Sequence, residues 1–412
     1  MNLEIDRDRL LSEIEALAAI SDAEAPAVTR IVFSPTDLKA RAWLRARCEE
    51  AGLTVRQDAI GNTFARWNSS NPAAPAVGTG SHIDAIPNAG KYDGVVGVLG
   101  GLEAIRALQR SGFRPTNSIE LLIFTSEEPT RFGVGCIGSR LLSGSLTAEA
   151  ARKLKDGEEA SIEELRGKAG FRGDLSEVKL PGGYYKAFVE LHIEQGPELE
   201  RQDIPLGVVT SIAAPASMRI AIEGSGGHAG GVLMPARHDA LCAAAELILA
   251  IENAARSSGA VDTVATVGIC DVFPGAINSI PSRVRLSADI RDTDLQRRDA
   301  VIQAMEDACN AISAKRTVAI HIEPLNADAP AQCAPSVVEA LSKACRKHRQ
   351  KFLPMVSRAY HDSLFMSRIA PAAMLFIPCR NGYSHRPDEY ASPDDIARGT
   401  MILAEALATL SE

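Results

Sequence analysis

Short apolar runs alternate with longer amphipathic ones along the first half of the chain. Ala76 to His82, Ile119 to Thr125 (IELLIFT) and Ala187 to Ile193 (AFVELHI) have strand length and β-rich composition. Between the first two, Gly94 to Arg110 carries Val95, Val98, Leu99, Leu102, Ile105 and Leu108 on one stripe, which predicts a helix. Residues 140–182 are polar and rich in glycine and charge, and predict short helices and loops. This alternation predicts an α/β sheet with helices on its faces.

The pattern changes near Val209. Met218, Ile220 and Ile222 alternate as in a half-exposed strand. There follow a helix over 235–256, strands over 263–273 and 283–291, a helix over 294–314 and a strand over 318–324. That order is βαββαβ, the ferredoxin-like arrangement. Afterwards the α/β pattern resumes, with a helix over 335–349, a strand at Met374 to Pro378 and a helix from Pro393 to Leu410. The expected organisation is a discontinuous α/β domain, residues 1–210 and 326–412, with residues 211–325 inserted as a separate domain. The run GVVGVLGG at 94–101 is neither GxGxxG after a strand nor GxxxxGK. Its small residues suit close packing of the helix on the sheet.

Composition narrows the function. The chain has 412 residues, enough for two or three domains, and a net charge of −8 from 44 basic and 52 acidic residues. No basic run tracks phosphates, so no nucleic-acid partner is expected. No apolar run spans a bilayer, so no membrane partner is expected either. The first residues, MNLEIDRDRLLSEIEAL, are acidic and helix-patterned, unlike a signal peptide. Eight scattered cysteines without a CxxC pair read as reduced thiols of a cytoplasmic protein.

The polar residues that fit this pattern least fall at strand ends. His82 and Asp84 (HID) end one strand, Glu127 and Glu128 follow the next, and His192 closes a third; Asp93 precedes the helix and His385 follows the last strand. Ligands of open α/β sheets gather at the carboxyl ends of strands. Histidines and carboxylates converging there are the ingredients of a metal site with nitrogen and oxygen ligands. Glu127 and Glu128 point to opposite faces of an extended chain, so they should not share a job. His238 and His348 read as helix-surface residues and His321 as an alternating strand residue. His361, in YHDSL, lies near the site in sequence but is not read as a ligand.

The segments GSHID-x8-DG, SEEPTRF, ELHIEQGP, GGHAG (226–230), GAINSIP (275–281), HDSLFM and GYSH together resemble the M20 metallopeptidase clan. The resemblance is to its amidohydrolase branch, and runs in order through most of the chain. It implies a metallopeptidase-like α/β catalytic domain with an inserted lid and dimerisation domain. It also implies two divalent metals, bridged by Asp93, with His82 and His192 completing one site and Glu128 and His385 the other. Mn2+ is favoured by the resemblance; Zn2+ or Co2+ also suit such ligands. Asp84 would orient His82, and Glu127 would be the free general base. His228 would polarise the scissile carbonyl in the active site of a partner subunit, making a homodimer with a shared active site. Asn278 and Arg291 would hold a substrate carboxylate, with Gln195 a further substrate contact.

Pro129, SRAYHDSLFM (357–366) and IPCRNGYSHRPDEY resemble the ureidoglycolate amidohydrolases of the branch, and make Tyr360 a candidate contact to a substrate hydroxyl. The implied substrate is a small anionic ureido compound. Hydrolysis of (S)-ureidoglycolate would give glyoxylate, ammonia and carbon dioxide, recovering purine nitrogen. Carbamoyl-amino-acid or allantoate hydrolysis is the alternative within the branch. A metallopeptidase or aminoacylase is disfavoured by the histidine at 192, and a non-catalytic relative by the intact Glu127–Glu128 pair.

Overall fold

A computed structural model describes residues 3–412. The chain forms two compact units. One takes the chain up to Thr210, Gln332–Ser357 and His361–Glu412; the other takes Ser211–Ala331 and Arg358–Tyr360. The second unit runs past Leu325, since its last long strand continues to Ala327, and it includes the separate segment Arg358–Tyr360.

The first unit is built on a mixed sheet with the α/β character that the alternation predicts. Four neighbouring strands, Ala372–Ile377, Tyr185–Ile193, Ala76–His82 and Ile119–Phe124, are mutually parallel. Strands Thr63–Trp67 and Thr54–Gln57 extend this sheet antiparallel beyond Ile119–Phe124. All residues of Ala76–His82, Ile119–Phe124 and Ala372–Ile377 are buried, as befits strands covered on both faces. The register sets His82 beside Phe124 and His192 beside Phe376, so the carboxyl ends of these strands lie level. Helices Val95–Arg110 and Pro393–Ser411 pack on the sheet. The small residues of the first helix do serve close approach: a Cβ at Gly97 would stand 2.4 Å from the Leu191 carbonyl oxygen.

The second unit has the βαββαβ order expected of it. Its sheet runs Val264–Phe273, Arg283–Asp292, Ala214–Glu223, Ala319–Ala327, antiparallel throughout. Helices Ala240–Ser257 and Leu295–Arg316 cover a core that includes Ile220, Ile222, Leu247, Leu286 and Met305. The first helix starts at Ala240, not near Pro235. The Asp239 carboxylate accepts from the N–H groups of Leu241 and Cys242 and caps it there, while Met234–Ala236 forms a separate 3-10 turn. Among the described residues no helix is long and apolar enough to cross a membrane.

Candidate metal centre

The level strand ends bring the polar residues of the first unit together. Asp93 lies at their centre, in the turn before helix Val95–Arg110. Its Oδ1 is 3.1 Å from His192 Nε2 and 3.6 Å from His82 Nε2; its Oδ2 is 3.2 Å from His385 Nε2. His385 Nε2 also lies 3.3 Å from Glu128 Oε1. Of three ligand clusters among the described residues, two, His82–Asp93–His192 and Asp93–Glu128–His385, share Asp93 and use different oxygens of it; the third is Glu190–His192–His361.

The imidazole tautomers test whether metal fits. His82 Nδ1 is 3.0 Å from the Asp84 carbonyl oxygen and His192 Nδ1 is 2.9 Å from that of Ile193, so each Nδ1–H donates outward. The backbone N–H of Gly94 donates to His192 Nε2 at 3.2 Å. The lone pair of His82 Nε2 therefore faces the Asp93 carboxylate, acceptor against acceptor, while His192 Nε2 lies between that carboxylate and the Gly94 N–H. Positive charge belongs between nitrogen and carboxylate, either a proton or a cation. Burial alone would lower the His82 pKa, yet Glu127, Asp93 and Asp84 outweigh it and hold it well above the usual value. The donor set fits two divalent ions with nitrogen and oxygen ligands.

Glu127 and Glu128 diverge after Ser126, whose φ of 57° kinks the chain at the strand end. Glu128 turns to His385. Glu127 keeps Oε2 at 3.7 Å from His82 Nε2 and is buried. Burial, with Glu128, Asp362 and Asp84 adding to it, raises its pKa well above the usual carboxylate range, against the pull of His82. Asp84 faces His82 Nδ1 with its backbone carbonyl at 3.0 Å and its carboxylate at 3.8 Å. The carboxylate also accepts the backbone N–H groups of Glu127 at 3.3 Å and Glu128 at 3.0 Å, fixing the turn that separates the two glutamates. Gln195, expected to meet substrate, donates from Nε2 to Asp93 Oδ2 at 2.8 Å.

Several supporting residues escaped the sequence reading. Glu389 Oε1 accepts the N–H groups of Tyr92 at 2.8 Å and Asp93 at 3.1 Å. The Ser384 hydroxyl lies 2.7 Å from Asp93 Oδ2 and 2.9 Å from Glu389 Oε2, tying the His385 loop to the Asp93 turn. Glu190, buried in its strand, accepts from Ser81 Oγ at 2.7 Å and from Ser363 Oγ at 2.6 Å. A charged residue inside an apolar strand was the available signal for Glu190. His361 is buried with its ring 4.5 Å from that of His192, and its Nε2 lies 3.1 Å from Ser357 Oγ.

The second unit holds the other candidates. Gly227–His228 pairs with Ser279–Ile280, and Ala229 N–H donates to the Asn278 carbonyl at 2.8 Å, so His228 and Asn278 are neighbours on exposed loops. Arg291 donates to Asp289 at 2.6 Å and, at 3.4 Å, to the carbonyl of Arg358, two residues before Tyr360.

A family model described as peptidase family M20/M25/M40 matches residues 78–409. The chain belongs to that family. M20 enzymes are di-metal, which agrees with the two clusters sharing Asp93. Within the M20 family the chain is 52% identical to the ureidoglycolate hydrolase of Oryza sativa subsp. japonica, covering 99% of this chain and 85% of that one. It is 37% identical to the N-carbamoyl-L-amino-acid amidohydrolase of Pseudomonas sp. (strain NS671), covering 98% of each. Among solved M20 structures, AtUAH, crystallised with glyoxylate and with (S)-hydroxyglycine, matches with a TM-score of 0.90 and 50% identity, covering 99% of this chain and 98% of that one.

Proposed function

We propose that this chain is a di-metal amidohydrolase that hydrolyses the ureido amide of (S)-ureidoglycolate. The observation that carries the reading is the high identity, over nearly the whole chain, to a ureidoglycolate hydrolase. The ligands of AtUAH, glyoxylate and (S)-hydroxyglycine, are the products such a reaction would leave. His82, Asp93 and His192 would hold one ion, and Asp93, Glu128 and His385 the other, with Mn2+ favoured. Bound there, divalent ions supply Lewis-acid polarisation of carbonyl and water.

The chain's own groups do the rest. Glu127, whose lone pairs no ligand role engages, takes a proton on Oε2 as water attacks the ureido carbonyl. It returns that proton to the departing nitrogen. Asp84 holds the two glutamates apart through their backbone. Asn278 and Arg291 bind the substrate carboxylate; Arg suits this through its bidentate fork. Tyr360 bonds the α-hydroxyl, Gln195 steadies Asp93, and His228 polarises the carbonyl. One water cleaves the ureido group to ammonia, carbon dioxide and hydroxyglycine, which decays to glyoxylate and a second ammonia.

We further assign a homodimer in which His228 serves the other subunit. Among the described residues, the large exposed apolar side chains other than Tyr390 lie in the second unit, including Val261, Ile269, Phe273 and Ile277. Its strand Val264–Phe273 is a sheet edge, a surface suited to a two-fold contact. Eight free thiols suit a reducing cytoplasm.

Similarity to a carbamoyl-amino-acid hydrolase supports the second reading. The test compares kcat/KM for (S)-ureidoglycolate, allantoate, N-carbamoylglycine and a bulkier N-carbamoyl-L-amino acid with Mn2+ supplied. Ureidoglycolate should lead N-carbamoylglycine, which lacks the hydroxyl, by as much as about 10⁴. Tyr360→Phe should narrow that lead. Preference for a carbamoyl amino acid would transfer the assignment to the second reading.

A further inference from the structure

We propose that Cys136 is a positioning residue for Glu127, its thiol holding one carboxylate oxygen so that the other faces the metal ligands. The inference rests on Glu127 as the proton-accepting group.

Cys136 Sγ lies 3.4 Å from Glu127 Oε1, while Oε2 lies on the His82 side at 3.7 Å. Among the described residues the thiol is the hydrogen-bond donor that this carboxylate meets. Cys136 is fully buried, and burial, reinforced by Glu127 and Asp362, pushes its pKa well above the usual thiol range. The sulfur therefore keeps its proton and remains a donor. The same residue grips Glu127 through the main chain. Cys136 N–H donates to the Glu127 carbonyl at 2.8 Å, Ile137 to Ser126 at 2.9 Å and Gly138 to Thr125 at 2.9 Å. The loop that leaves the strand end is thus laced back onto it, with Glu127 and Cys136 as its last rung.

The backbone argues that the side chain matters. Cys136 has a φ of 55°, a left-handed conformation that glycine or asparagine adopts more readily. A glycine would relieve the backbone and lose the thiol. A thiol is also a weak donor. It can orient a carboxylate without the competition that a charged donor would bring.

The experiment uses the metal-loaded enzyme and (S)-ureidoglycolate. Cys136→Ala and Cys136→Gly should each lower kcat about 10- to 100-fold, the scale of a misplaced catalytic group, with KM and metal content unchanged. Cys136→Gly should keep or raise the thermal midpoint, which separates loss of the thiol from loss of the fold. Cys136→Ser, which keeps a donor, should recover most of kcat. The S–H stretching band that disappears in Cys136→Ser should move in Glu127→Gln. Wild-type kcat in Ala and Gly, no recovery in Ser, or a band indifferent to Glu127→Gln would each overturn the assignment. An inactive Glu127→Gln beside a fully active Cys136→Ala removes this inference alone. A fully active Glu127→Gln removes the proton-acceptor reading and this inference with it.

Discussion

The two sets of candidate residues are held in opposite ways. In the first unit His82, His192, Asp93 and Glu127 are buried, and each is fixed by named partners: a backbone carbonyl, a neighbouring carboxylate, a thiol. In the second unit His228 and Asn278 stand on exposed loops held mainly by backbone bonds. Groups that must hold a cation need preorganisation, because unpaired buried charge is expensive. Groups that meet a small anion need reach. On the proposed reading the failures are separable: loss of a ligand of the first unit should lower ion content, while loss of Glu127 or of the second unit's residues should lower turnover alone.

The largest effects belong to the shared carboxylate. Asp93→Ala should lose both ions and all measurable turnover. His385→Ala should lose about one ion per subunit, since His385 belongs to one cluster only. Glu127→Gln should keep both ions and lose roughly 10²–10⁴ in kcat, the usual worth of a general base. Elemental analysis of the three purified variants decides this, and equal ion loss in all three would erase the distinction between ligand and base.

A smaller effect tests the second region. His228→Ala and Glu127→Gln, each inactive alone, should regain at most about a quarter of wild-type activity when mixed. Random exchange makes half the dimers mixed, each with one intact site. Demonstrated exchange without recovery would mean that His228 serves its own chain.

The smallest effect lies away from both sets. In the second unit Glu246 pairs with Lys315 at 2.9 Å and Arg316 at 2.6 Å, and these hydrogen bonds lower its pKa from 4.5 to about 2. A depressed carboxylate pKa contributes stability above the unfolded value and loses it as pH falls through the folded one. Glu246→Gln should therefore cost less than about 1 kcal/mol at neutral pH, as partly exposed pairs do. The gap between the two urea midpoints should close as pH drops from 4.5 towards about 2. A gap that persists there would mean that the pair is not its source.

Much of this architecture was legible because apolar periodicity and polar strand ends are local signals. The βαββαβ order and the parallel strands ending in HID, SEE and LHI follow from runs of a few residues. What escaped depends on distant partners. Glu389 steadies Asp93 across a separation of 296 residues, and Glu190 meets Ser363 across 173. The second role of the Asp84 carboxylate escaped for the same reason: the strand places it near His82, while the fold also brings it two backbone N–H groups 43 and 44 residues away. The opening 75 residues, with helices Arg7–Ala18 and Pro35–Glu50, gave no strand-end polar signal to anchor a reading.

The turn GKYDG, 90–94, packs against Glu389 at one end and His82 at the other. A Cβ at Gly94, where φ is 66°, would stand 2.5 Å from His82 Nε2, and one at Gly90 would stand 2.4 Å from Glu389 Cβ. One ligand is thus framed by two positions where any side chain collides with another part of the centre. The turn has no room for a side chain at either position. A saturation-mutagenesis survey should find these glycines as intolerant as the aspartate they flank, although neither carries a functional group.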